Sequence, residues 1–140
     1  AYNASLTRST PTALSVARSD LAAASIGDYA LFGGGWTSTY SAVVDAYNAS
    51  LTRSTPTALS VARDSLAATS IGDYALFGGG YSSTYSAVVD AYDTSLTRST
   101  PTALSAGRQY LAATSIGDYA LFGGGSASTN SAVVDVYQYN

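Results

Sequence analysis

Apolar residues in this chain come in short bursts separated by Ser, Thr, Asp and Gly. LAATSI (Leu66 to Ile71), YALF (Tyr74 to Phe77) and AVVDAY (Ala87 to Tyr92) are representative. Bursts of this length predict strands, because a helix needs roughly 10–12 residues of sustained helical periodicity. Gly72-Asp73 joins the first two and predicts a tight hairpin turn. The run Gly78-Gly79-Gly80 ends the second strand, and a Ser/Thr/Tyr loop leads to the third. A fourth strand is expected at Leu96 to Leu104 (LTRSTPTAL). Pro101 cannot donate to a ladder, so that strand belongs at an edge. YALF and AVV do not alternate cleanly with polar residues, which predicts sheets buried on both faces.

The pattern repeats every 45 residues. Asp28, Asp73 and Asp118 fall on this period, as do Arg18, Arg63 and Arg108, Pro11, Pro56 and Pro101, and the three glycine runs. Residues 1–45 and 46–90 differ only at positions 19, 20, 24, 36 and 37. A unit of this size cannot bury its own faces and must stack on its neighbours. Four antiparallel strands with the proline-bearing one outermost describe a propeller blade. The fold class expected is therefore all-β, with three blades per chain. Residues 15–59 make blade 1, 60–104 make blade 2, and 105–140 supply the first three strands of blade 3. Residues 1–14 hold the end of a third strand and a whole fourth strand.

Composition narrows the chemistry. All nine acidic residues are Asp and all six basic ones are Arg, while Glu, Lys, His, Cys and Met are absent. The net charge of −3 leaves no basic surface for phosphates, so neither nucleic acid nor an anionic membrane is expected as a partner. No apolar run approaches the roughly 18 residues needed to cross a bilayer. Without His, Cys, Lys or Glu, a Ser nucleophile has no ordinary base and zinc has neither soft nor imidazole ligands. No catalytic residue, metal or cofactor is expected. A phosphate-cradling glycine loop needs a helix N-terminus after it, but WTSTYS, YSSTYS and SASTNS follow the three runs. The glycines are expected instead to let the chain leave the second strand at unusual dihedrals where blades crowd. Arg8, Arg18, Asp28, Asp45 and their copies are expected to form inter-strand ion pairs and turn caps.

Three features of the unit resemble the kelch repeat: the pair Ala62-Arg63, the strand Tyr74 to Gly79 running into glycines, and Val89, Asp90, Tyr92 and Asp93 after the loop. The resemblance implies a propeller in which an N-terminal outer strand completes the last blade. Propellers hold about 4 to 8 blades, and three alone would leave wedges that no side chain here fills. Closure is therefore expected between copies of the chain, through Leu6, Arg8, Pro11 and Leu14 of the exchanged strand and Val133, Val134 and Tyr137 of the last blade. Two chains give six blades and three give nine. The inner strand is small (Ala67, Ala68, Ser70) and the outer strand lacks the Trp of kelch blades, so the shallow taper favours the trimer. The function expected is a structural and interaction scaffold that assembles with itself.

The copies differ most in two loops that an up-and-down blade brings to one face. That face is expected to gather Trp36, Tyr40, Tyr81, Tyr85, Tyr110, Asp20 and Asp64. Aromatics among Ser, Thr and Asp suit sugars or a protein surface, so the alternative function is a lectin-like binding module.

Overall fold

A computed structural model describes residues 5–140. The described chain is built from strands and turns without a helix. The first sheet contains β1 (Ala22–Ile26), β2 (Tyr29–Gly33), β3 (Val44–Tyr47) and β4 (Arg53–Ser54), antiparallel in that order. The second repeats it with β5 (Ala67–Ile71), β6 (Tyr74–Gly78), β7 (Val89–Tyr92) and β8 (Arg98–Ser99). The third has only three strands, β9 (Ala112–Ile116), β10 (Tyr119–Gly123) and β13 (Val134–Gln138), its loop forming a small hairpin of β11 (Ser126–Ala127) and β12 (Thr129–Asn130). The sheets stack with β1 beside β5 and β5 beside β9, so the first strand of each sheet lies innermost. This is a propeller-like repeat fold, open at both ends.

The outer strand is much shorter than the nine residues expected. Only Arg53–Ser54 and Arg98–Ser99 pair with their neighbours. Leu51 and Leu96 take φ of 61° and 62°, which turns the chain just before pairing begins. Pro56 and Pro101 follow within two residues of its end and have no N–H to continue the ladder. Leu59 and Leu104 then dive back into the cores between sheets. Residues 5–14, the described part of the expected first outer strand, form no strand within the chain.

Two cores hold the stack together. Ile26, Leu31, Val44 and Ala46 of the first sheet meet Leu59, Leu66, Ala75, Phe77 and Tyr92 of the second. One repeat on, Ile71, Leu76, Val89 and Ala91 meet Leu104, Leu111, Ala120 and Phe122. Each junction also carries four backbone hydrogen bonds. The N–H groups of Leu59, Arg63 and Ser65 donate to the carbonyls of Ala42, Ser41 and Asp20, and Gly35 donates back to the Arg63 carbonyl. Leu104, Arg108 and Tyr110 repeat this with Ala87, Ser86 and Ser65, and Gly80 with Arg108.

Burial marks where the stack stops. Ile26 and Ile71 are buried, whereas Ile116 is 71% exposed; Val44 and Val89 are buried, whereas Val134 is 56% exposed. At the opposite end Ala75 and Ala120 are buried but Ala30 is exposed, and Phe77 and Phe122 are buried but Phe32 only half so. The middle sheet thus meets the expectation of two buried faces, and each outer sheet meets it on one side.

The third strand is anchored by its tyrosine. The Tyr92 hydroxyl donates to the Thr57 carbonyl at 2.7 Å, and the ring meets Phe77 edge to face. Tyr92→Phe removes the donor and leaves that carbonyl unpaired, so a loss of about 1–2 kcal/mol is expected in urea unfolding.

Candidate functional site

Arg18, Arg63 and Arg108 each enter the stack just before the inner strand. The Arg63 side chain is fully buried and saturates its five donors: Nε to the Gly79 carbonyl at 2.7 Å, Nη2 to the Phe77 and Val88 carbonyls at 2.9 and 3.4 Å, Nη1 to Asp90 Oδ2 at 2.9 Å and to the Val61 carbonyl at 3.1 Å. Arg18 pairs with Asp45 and Arg108 with Asp135 at the same distance. These are the inter-strand ion pairs foreseen for this arginine and aspartate. They tie the entry of a blade to its second and third strands, and the donors of Arg63 are all taken up within the blade. Asp28 sits in the hairpin turn and Arg8 in the unpaired N-terminal segment, both exposed and outside this ion-pair set.

The ion pairs set the response to acid. Burial alone would raise the Asp45 carboxyl, but hydrogen bonds from Ser15 and Arg18 outweigh it and hold it below its ordinary value. Asp135 is lowered in the same way, burial again opposing, by Arg108 and Ser105. Asp64 goes the other way, raised by burial and then by the charge of Asp20. A carboxylate lowered on folding contributes stability above its unfolded value, near pH 3.9, and loses it as pH falls through the folded value. A raised one opposes folding while ionised and relents as pH falls. The stability of the chain is therefore expected to hold from neutral pH to about pH 5 and to fall steeply below about pH 4. Urea melts across this range check it. Asp64→Asn is expected to leave the acid loss in place.

The glycine runs serve packing. Gly34 and Gly35 take φ of 73° and 114°, as the sequence suggested. A close approach adds to this: a Cβ on Gly33 would stand 2.9 Å from the Phe77 ring, and one on Gly78 would stand 2.8 Å from Phe122. The next blade's phenylalanine rests on the first glycine of the first two runs.

The two variable loops do share one face. Ser19 and Trp36 exchange backbone hydrogen bonds at 3.0 and 2.8 Å, and Asp64 does the same with Tyr81. Trp36, Tyr40, Tyr81 and Tyr85 form one row, packed edge to face with centroids 5.1, 5.9 and 5.4 Å apart. The row crosses from the first blade to the second through Tyr40 and Tyr81. In the third blade Ser126 and Asn130 take its place. Asp20, Ser65 and Tyr110 stand apart from it, at the same position of successive repeats, with φ of 55°, 55° and 57° and linked blade to blade by backbone hydrogen bonds. Tyr110 is 70% exposed.

The residues expected at the chain ends fall into two groups. Leu6 is fully exposed, Arg8 and Pro11 are exposed, and Leu14 lies half-buried with Ala30, Phe32, Tyr47 and Leu51 around an apolar hollow of about 400 Å³. Val133 and Val134 are exposed on the far side of the third sheet. The Tyr137 ring turns inward onto Phe122 and its hydroxyl donates to Thr102, so only its backbone lies on the open strand edge. Sequence reasoning overlooked Phe32, Ile116, Leu121 and Val136. All four are found by moving 45 residues along from a residue of a buried junction.

No protein-family model matches the chain, and no curated protein is similar enough to count as a relative. The sheets and their stacking themselves define the class: a β-propeller-like repeat protein of three blades, the last of them three-stranded among the described residues.

Proposed function

We propose that the chain is a self-assembling scaffold, a kelch-like propeller arc whose copies join head to tail into a closed ring and which performs no catalysis. The observation that carries this reading is the match between the two ends of the stack. The leading end offers the N–H groups of Leu14, Arg18 and Asp20 and the carbonyl of Arg18, which make none of the junction bonds among the described residues. The trailing end offers the carbonyls of Ala132, Ser131 and Tyr110 and the N–H of Gly125, likewise unused. Shifted by the repeat, these are the donors and acceptors of the junctions inside the chain. The apolar faces agree: Ala30, Phe32, Leu14 and Leu21 at one end repeat residues that bury Ile26, Leu31, Val44 and Ala46, and Ile116, Leu121, Val134 and Val136 wait at the other. Such a heterologous contact closes into a ring when its rotation fits.

Exchange of the outer strand fits the same reading. Arg53 and Arg98 donate to the Ala13 and Ala58 carbonyls of their blades at 2.6 and 2.7 Å. The corresponding Ala103 carbonyl lies in a groove with Thr102, Asp135 and Tyr137, and its counterpart arginine by repeat is Arg8. Arg8 and Ser9 of a neighbouring copy complete the sheet against Tyr137 and Val136. The aromatic row is consistent with a structural role, because its rings are spent on one another across a blade junction. Outer strands of two residues and inner strands of Ala and Ser give little taper, which favours nine blades from three chains over six from two. Electron microscopy of the purified chain tests the proposal. Closed discs with a central channel are expected, whereas open filaments or isolated arcs overturn ring closure.

A further inference from the structure

The glycine runs carry the argument to one residue. In the first run Gly33 lies under Phe77, and in the second Gly78 lies under Phe122, each too close for a Cβ. In the third run Gly123 has the same strand position, paired with Ala112 and Val134 as Gly33 is with Ala22 and Val44. No phenylalanine sits on it. A Cβ there would meet only Val134 of its own sheet, at 3.4 Å. Gly124 repeats the contrast: a Cβ on Gly34 would meet the Arg63 carbonyl at 2.8 Å and Leu66 at 2.9 Å, while on Gly124 nothing lies nearer than the Ser131 carbonyl at 3.8 Å. The backbone of Gly123 lies outside the left-handed region, so its own chain imposes no dihedral reason for glycine. Packing within the chain explains the bare backbone at positions 33 and 78 but leaves it unexplained at 123.

Phe32 is the unmatched half. It holds the position of Phe77 and Phe122, meets Tyr47 edge to face at 5.9 Å as they meet Tyr92 and Tyr137, and is the one ring of the three left half-buried. We infer that Gly123 is a socket for the Phe32 ring of a second copy of this chain. The occupant is fixed by continuity with two interfaces of nearly the same sequence already made inside the chain. The inference rests on the self-assembly reading and adds to it the specificity-determining contact, since any side chain at 123 holds the neighbouring sheet away.

Gly123→Val is the test, read by light scattering across a dilution series beside the unaltered chain, with circular dichroism and a thermal melt to check folding. The expected result is a folded chain whose association weakens about 100-fold or more. Combining it with Phe32→Ala is expected to recover part of the loss, because the truncated ring leaves room for the valine. If the unaltered chain assembles and folded Gly123→Val assembles equally well, the socket is overturned while self-assembly stands. If the unaltered chain stays a monomer, both fall. Should Gly123→Val fail to fold, Phe32→Ala alone decides: weakened association supports the socket, and unchanged association overturns it.

Discussion

Arg63→Ala is expected to cost about 3–5 kcal/mol, the loss that follows when one partner of a buried ion pair is removed. The guanidinium is fully buried, and its removal strands Asp90 together with the carbonyls of Phe77 and Gly79. Asp90 already holds one carboxylate oxygen, Oδ1, with no hydrogen-bond partner and only Arg98 nearby at 4.0 Å. Removal of Arg63 therefore leaves a buried charge answered only by the Ser60 N–H at 3.2 Å and by Arg98 at 4.0 Å. Native stabilities run to about 5–15 kcal/mol, so a loss of this size takes a large share of the total. Urea unfolding followed by circular dichroism measures it. Changing both partners together, Arg63→Met with Asp90→Leu, is expected to cost much less, because the desolvation of two charges disappears with their attraction. A single-variant loss under about 1 kcal/mol would show that the pair does not hold the blade.

The second large effect separates residues that the repeat makes equivalent. Phe77→Ala is expected to cost about 3–5 kcal/mol, the range for truncating a buried aromatic ring. The ring is fully buried in the first core, rests on Gly33 and meets Tyr92 edge to face. Phe32 has the same sequence neighbours and the same tyrosine contact, but its outer side faces the open end. Its truncation is expected to leave the melt of the dilute chain within about 1.5 kcal/mol and to act on association instead. Melts at two widely spaced concentrations distinguish the cases, because stability gained from a partner depends on concentration and stability gained within the chain does not. Equal losses in both variants at high dilution would show that the first sheet's outer side is already packed within one chain.

The architecture was legible because the repeat is nearly exact and the strand bursts are bounded by strong turn residues. Gly72-Asp73 fixed the hairpin, and the inner three strands of the blade fall within a residue or two of their expected limits. The ion pair was legible in kind from an arginine and an aspartate recurring in every repeat. Misjudgement came at the outer strand. LTRSTPTAL has the length and Thr content of a strand, but Leu96 in the left-handed region and Pro101 without an N–H leave room for only two paired residues. A local pattern does not report where a chain turns back to deliver Leu104 to the core. The glycine run was read correctly as structural, yet the larger part of its reason, a phenylalanine from the next blade resting on bare backbone, depends on a residue 44 positions away. The open faces were foreseen, but several of the residues that line them were hidden for a related cause. Ile26 and Ile116 look alike in sequence, and only the stack separates the buried copy from the exposed one.

The mass of the chain in solution is the most direct test. Light scattering on the eluting peak of a size-exclusion column is expected to give about 43 kDa, three times the 14.2 kDa of one chain, with about 28 kDa for the six-bladed ring. A single species at 14.2 kDa that persists at high protein concentration would contradict the account, because both apolar faces and every unmade junction bond would then be satisfied by water alone.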